Sequence, residues 1–223
     1  MKELFKFLKE LRENNNREWF TANKNRYEEL CKEHIGIVEQ LIAGIATFDP
    51  EIAGLEAKSC VYRIYRDIRF SNDKTPYKTH FGAYMTGFGG RTSPYGGYYL
   101  HIEPDNSIVS GGVWCPTPAM LKSLRRDIFD NMDEFLRLLE NEKFKQVFGE
   151  LEGDTLKRMP DGFPKDYKYD YILKHKNFVV MSNKTEDFFN SENWIDDVVD
   201  NFRLLYPFNK FLNYTIGEFF AKE

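Results

Sequence analysis

The stretch Tyr98-Tyr99-Leu100-His101-Ile102-Glu103-Pro104-Asp105-Asn106-Ser107-Ile108-Val109 decides how this chain folds. Its first six residues alternate, with Tyr98, Leu100 and Ile102 on one face and Tyr99, His101 and Glu103 on the other. That is the period of a strand whose two sides differ. Pro104-Asp105-Asn106 then supplies turn chemistry, and an apolar run resumes over Ile108–Trp114. Another strand is expected at Phe81–Phe88, set off by glycine- and proline-bearing turns. Connections this short favour an antiparallel meander over parallel βαβ units.

Helical spacing flanks this region on both sides. Leu4, Phe5, Leu8 and Leu11 mark a first amphipathic helix. Asn15, with Glu18 three positions later, has the spacing of a capping box, and the stripe from Trp19 to Ile45 predicts one long helix ending near Ala46. After Pro116-Thr117-Pro118, Leu121 to Leu139 carry one helical pattern and Phe144 to Leu151 a second. Gly153–Asp170 reads as a polar loop and Asn177–Met181 as a strand. Helices are predicted at about Thr185–Asn190, Trp194–Tyr206 and Asn209–Phe220. There is no internal repeat and no low-complexity linker. The expectation is therefore a single α+β domain over residues 1–223, an antiparallel β-sheet meander flanked by N-terminal and C-terminal helices.

Composition supports an ordered core. Of the 223 residues 42% are apolar, and twenty Phe and thirteen Tyr mean that rings build much of it. The net charge of −4 argues against a general nucleic-acid coat, though not against a local site. Cys31, Cys60 and Cys115 are odd in number and widely spaced, which points away from disulfides and toward a reducing compartment. The start, MKELFKFLKELREN, is too charged for a secretory leader, and no apolar run approaches the roughly 20 residues that span a bilayer. A cytoplasmic location without membrane association is expected.

The most informative segment is Tyr62–His80. Arg63, Arg66, Arg69, Lys74 and Lys78 stand against only Asp67 and Asp73, a local balance of +3 in a chain of −4, so the remainder carries −7. Guanidinium forks pair bidentately with carboxylate or phosphate and stack on rings, and Tyr62, Tyr65, Phe70, Tyr77 and Phe81 interleave such rings. If the segment is extended, Arg63 and Arg69 share a face with Asp67 while Arg66 points away; if helical, Arg63 and Arg66 are neighbours. The competing reading is an internal salt-bridge network.

Asn-Asn-Arg-Glu-Trp-Phe at 15–20, Asn23-Lys24, Arg63-Ile64-Tyr65-Arg66-Asp67, Arg69-Phe70-Ser71, Asp73-Lys74-Thr75-Pro76-Tyr77-Lys78, Tyr99-Leu100-His101 and Gly-Gly-x-Trp-x-Pro at 111–116 resemble the family catalogued as "domain of unknown function 2461". The resemblance covers about residues 1–220. It implies a one-domain α+β fold and brings no reaction, cofactor or catalytic residue. It also implies no requirement for cysteine at position 115.

Other chemistries find little support. Cys31 and His34 sit at i, i+3, but on an apolar stripe that favours packing. His80, His101 and Glu103 converge only if their strands pair, so no metal is expected. There is no GxSxG and no phosphate-binding GxxxxGK[ST]. Gly87–Gly90 with Arg91 reads as a flexible loop, or as a lid adding a sixth positive group. The leading expectation is a phosphate- or carboxylate-bearing small molecule held by Arg63, Arg66, Arg69, Lys74 and Lys78. Tyr65, Tyr77 and Tyr99 would be its walls and His101 its proton-transfer residue, whether or not the protein is an enzyme. The cofactor is left open. One alternative is a nucleic-acid-associated module; another is a protein-interaction domain with an aromatic surface of Trp194, Phe202, Tyr206 and Phe208.

Overall fold

The structure is a computed structural model that describes residues 1–221. Four strands, β1 (Phe81–Met85), β2 (Gly97–Ile102), β3 (Ser107–Val113) and β4 (Phe178–Lys184), form one antiparallel sheet in the order β1-β2-β3-β4. The alternation read in β2 holds: Tyr98, Leu100 and Ile102 are buried, whereas Tyr99, His101 and Glu103 are partly exposed. The turn after it puts Asp105 at φ 66, and the Ser107 hydroxyl closes it by donating to the Glu103 carbonyl at 2.8 Å. β1 stops at Met85, short of the expected Phe88.

Two compact units divide the chain. The first comprises Met1–Arg91, Tyr99–Val109 and Asn183–Asp200. It holds α1 (Lys2–Glu13), α2 (Arg17–Ala22), α3 (Lys24–Ile45), the short α4 (Ala57–Cys60) and β1. α1 buries Leu4, Phe5, Phe7, Leu8 and Leu11 along one face. The long helix expected from Asn15 to Ala46 is instead two, because Asn23 leaves helical geometry at φ −105 and ψ 12. The cap is Asn16, whose side chain accepts from the Trp19 amide at 2.9 Å; Asn15 does something else, described below. α3 sets Tyr27 and His34 against Phe81 of β1, with ring centroids 6.0 and 5.3 Å apart.

The second unit comprises Thr92–Tyr98, Ser110–Ser182 and Asn201–Glu223. It contains α5 (Pro118–Asp130), α6 (Met132–Leu139), α7 (Glu142–Phe148), α8 (Asp170–Leu173) and most of α9 (Trp194–Phe220). The pattern expected as one helix from Leu121 to Leu139 breaks at Asn131, whose side chain donates to the Asp127 carbonyl at 3.1 Å. The helix expected at Thr185–Asn190 is only a single tight turn, Phe188–Asn190.

Two helices were also expected where α9 runs unbroken with Pro207 inside it. Phe202, Leu205, Phe208, Leu212 and Ile216 are all 0% exposed and make one stripe across the proline. Their burial outweighs the roughly 3 kcal/mol that an interior proline costs. Asn209 and Asn213 side-chain amides donate to the carbonyls of Gly97 and Gly96, each at 3.0 Å. Of the four aromatic residues expected to form an interaction surface, Trp194, Phe202 and Phe208 are buried and Tyr206 is partly exposed. No described helix is long and apolar enough to cross a membrane.

Candidate functional site

The basic segment is extended, folding back on itself through an antiparallel bridge between Tyr65 and Tyr77. The Arg66 amide donates to the Pro76 carbonyl at 3.0 Å and the Lys78 amide to the Ile64 carbonyl at 2.8 Å. Asn15 clamps the return arm: its Nδ2 donates to the Tyr77 carbonyl at 2.9 Å and its Oδ1 accepts the Tyr77 amide at 3.1 Å.

At the tip of this ribbon the charges are matched locally. Arg69 grips Asp67 with both sides of its fork, Nε to Oδ1 at 2.9 Å and Nη2 to Oδ2 at 2.6 Å. Arg66 Nη1 bonds Asp73 and Thr75. Lys74 Nζ donates to the Ile68 carbonyl at 3.0 Å. Tyr77 is buried flat against Phe20, ring centroids 4.0 Å apart, and Tyr65 meets the same ring edge-on. Five of the nine expected site residues therefore have structural partners within the fold.

Of the other four, Lys78, Tyr99 and His101 gather elsewhere in the first unit, while the exposed Arg63 acts electrostatically on both Lys78 and Asp67. Lys78 Nζ lies over the Tyr62 ring, 5.2 Å from its centroid, and Tyr62 meets Tyr99 edge-on. Tyr99 Oη is 2.9 Å from His101 Nδ1, and His101 Nε2 is 3.2 Å from Glu103 Oε2. Thr79 donates to Glu103 Oε1 at 2.6 Å and Asn106 to Oε2 at 3.0 Å. The His80 ring stacks on His101 with centroids 4.1 Å apart. Gly82 leaves room here, since a Cβ at that position would stand 3.1 Å from Tyr99 Oη.

The electrostatics follow from partial burial. Lys78 is held below the ordinary lysine range by burial and by the neighbouring Arg63 cation. Among the described residues neither side chain forms a salt bridge or hydrogen bond. Arg91, whose Nη1 donates to the carbonyls of Lys58 and Ser59, adds positive potential at Tyr62. Burial pushes His80 down to about 4 and also lowers His101, while Tyr99 is driven up. Burial alone would raise Glu103, but hydrogen bonds from Thr79, Asn106 and His101 hold it low. At neutral pH the cluster thus pairs neutral imidazoles with an ionised carboxylate, a chain able to pass a proton between Tyr99, His101 and Glu103.

A family model described as "Conserved hypothetical protein (DUF2461)" matches residues 3–211. The chain belongs to DUF2461. That description names no activity. No curated protein and no solved structure matches this DUF2461 chain. Strand alternation places Tyr99, His101 and Glu103 on one face; Tyr62 is visible in the sequence only as one of the interleaved rings, and Thr79 and Asn106 carry no site signal of their own. Thr79 and Tyr62 adjoin named basic and aromatic residues, so their position in the segment was a usable signal.

Proposed function

We propose that this protein binds a small molecule bearing a phosphate or carboxylate, in the cytoplasm, with Arg63 and Lys78 meeting its charge. Tyr62 and Tyr99 are the walls, and His101 is the group for proton exchange with the ligand. One observation carries the reading: Lys78 is a partly buried ammonium that faces a ring and a second cation, with no carboxylate to offset it. Such a charge is left under-solvated, and an incoming anion recovers the loss by charge-assisted hydrogen bonding. Arg66, Arg69 and Lys74 of the expected set then serve to shape the ribbon rather than to bind. Free thiols at Cys31, Cys60 and Cys115 suit a reducing compartment.

The test is thermal unfolding with inorganic phosphate or succinate at fixed ionic strength. Phosphate or succinate is expected to raise the Tm of the wild type and of Arg69→Ala, because ligand binding stabilises the folded state. Lys78→Met should remove the response. A wild type indifferent to both anions, or a responsive Lys78→Met, would overturn the assignment. Steeply salt-dependent binding of a single-stranded oligonucleotide, with no response to either anion, would favour the nucleic-acid reading instead.

A further inference from the structure

His80 leads directly into β1, while His101 lies near the end of the adjacent strand β2 and Glu103 just beyond it. One ligating atom from each of the three side chains lies within 4.8 Å of the other two. We propose that His80, His101 and Glu103 hold a divalent transition-metal ion of the kind that favours imidazole and carboxylate ligands, such as zinc or iron(II). This goes beyond the anion-binding reading and does not rest on it.

The donor set comes first. Two imidazole nitrogens and one carboxylate oxygen suit first-row transition metals and are a poor match for calcium or magnesium, which prefer oxygen alone. Spacing comes next. Metal bonds of about 2.0–2.1 Å in a tetrahedron set ligand atoms about 3.3 Å apart. His101 Nε2 and Glu103 Oε2 already stand 3.2 Å apart, held by a hydrogen bond. Closing the third corner requires only the remaining approach of a His80 nitrogen from within 4.8 Å.

The surroundings also resemble a metal site. Metal-bound histidines and carboxylates are usually fixed by outer hydrogen bonds that set tautomer and orientation. Tyr99 Oη engages the far nitrogen of His101, and Thr79 and Asn106 fix the carboxylate of Glu103. The His101 and Glu103 side chains are only 12% and 15% exposed, shielded but reachable. His80 has no hydrogen bond of its own among the described residues, yet its ring is stacked on His101. A third ligand in that place explains a contact that hydrogen bonding does not. Three protein ligands also leave a coordination position open to water or a bound group. Lys78 and Arg63 oppose a nearby cation, so an anion bound beside them should strengthen metal binding. Coordination replaces the His101 Nε2–H bond to Glu103, so the ring proton then sits on Nδ1, where it faces Tyr99 Oη.

The experiment is calorimetric titration of the full chain, stripped with chelator, with Zn²⁺, in parallel with Co²⁺ followed by its visible absorption. One equivalent is expected to bind, with Co²⁺ bands of nitrogen and oxygen coordination. His80→Asn and Glu103→Gln, each shown by circular dichroism to be folded, should weaken binding at least about tenfold. Cys115→Ser should bind as the wild type does. The proposal fails if the wild type shows no saturable binding, if neither ligand variant weakens it, or if Cys115→Ser abolishes it. Phosphate responses measured without added metal allow either proposal to fail while the other stands.

Discussion

Asn15 illustrates how a single side chain can organise a site from a distance. Both of its amide ends are occupied by the backbone of Tyr77, 62 residues further along, next to Lys78. Replacing it with alanine leaves the Tyr77 N–H and carbonyl partly buried and without their partner, a cost of about 1–3 kcal/mol. Asn15→Ala should therefore lower the urea midpoint and weaken the phosphate response as Lys78 loses its anchor. An unchanged midpoint would show that the clamp contributes nothing. The sequence marked Asn15 as a helix cap because Glu18 lies three residues on, and a local pattern could suggest nothing else. Its actual partner is remote, and remote pairing leaves no periodic trace. The face shared by Tyr99, His101 and Glu103 was legible for the opposite reason: strand alternation places those residues from within six positions of sequence. The internal pairing of Arg66 with Asp73 and of Arg69 with Asp67 fell between these cases. Both acids were visible nearby, but only an extended backbone with a return arm decides which base each one meets.

Among the elements, the hairpin of β2 and β3 was legible almost to the residue because alternation, turn chemistry and short connections all agree there. α9 was not, since Pro207 is a local stop signal and the burial that overrides it is a tertiary property. That conflict gives a prediction. In Pro207→Ala the ring is removed and a backbone donor returns to a helix whose flanking stripe is already buried. Stability should rise by about 1–2 kcal/mol, less than the full proline penalty because the surrounding helix has accommodated the ring and the unfolded chain regains some freedom. Chemical denaturation reads this directly. A variant less stable than the parent would mean that the proline ring itself packs usefully, and that the helix is shaped around it. The breaks at Asn23 and Asn131 follow the same logic in reverse. Apolar periodicity continues through both, but an asparagine able to bond the preceding turn ends each helix there.

At the scale of the whole molecule, acid sensitivity should be shared by both units, because each buries a histidine. His34 in the first is 2% exposed and is pushed by burial down to about 4. His175 in the second is lowered for the same reason. In the unfolded chain both titrate near 6.5. Below that pH the unfolded chain takes up protons that the folded one refuses, so stability falls as pH drops from about 6.5 toward 4 and levels off below. For His34 alone the loss at pH 5 is roughly 2 kcal/mol relative to pH 7.5. Asp67 is held low by hydrogen bonds from Arg69, and Asp73 by those from Thr75 and Arg66, so these exposed carboxylates act only below about pH 4, whereas His80 and His101, also lowered by burial, add to the loss inside the window. Urea midpoints of the wild type and of His34→Leu, measured at pH 7.5 and 5.0 without added metal, separate the contributions. The wild type should lose more stability than the variant between those two values, by an amount near the His34 share. Equal losses would mean that the buried imidazole finds its proton inside the folded chain as readily as outside it, and burial would then not be what sets its titration.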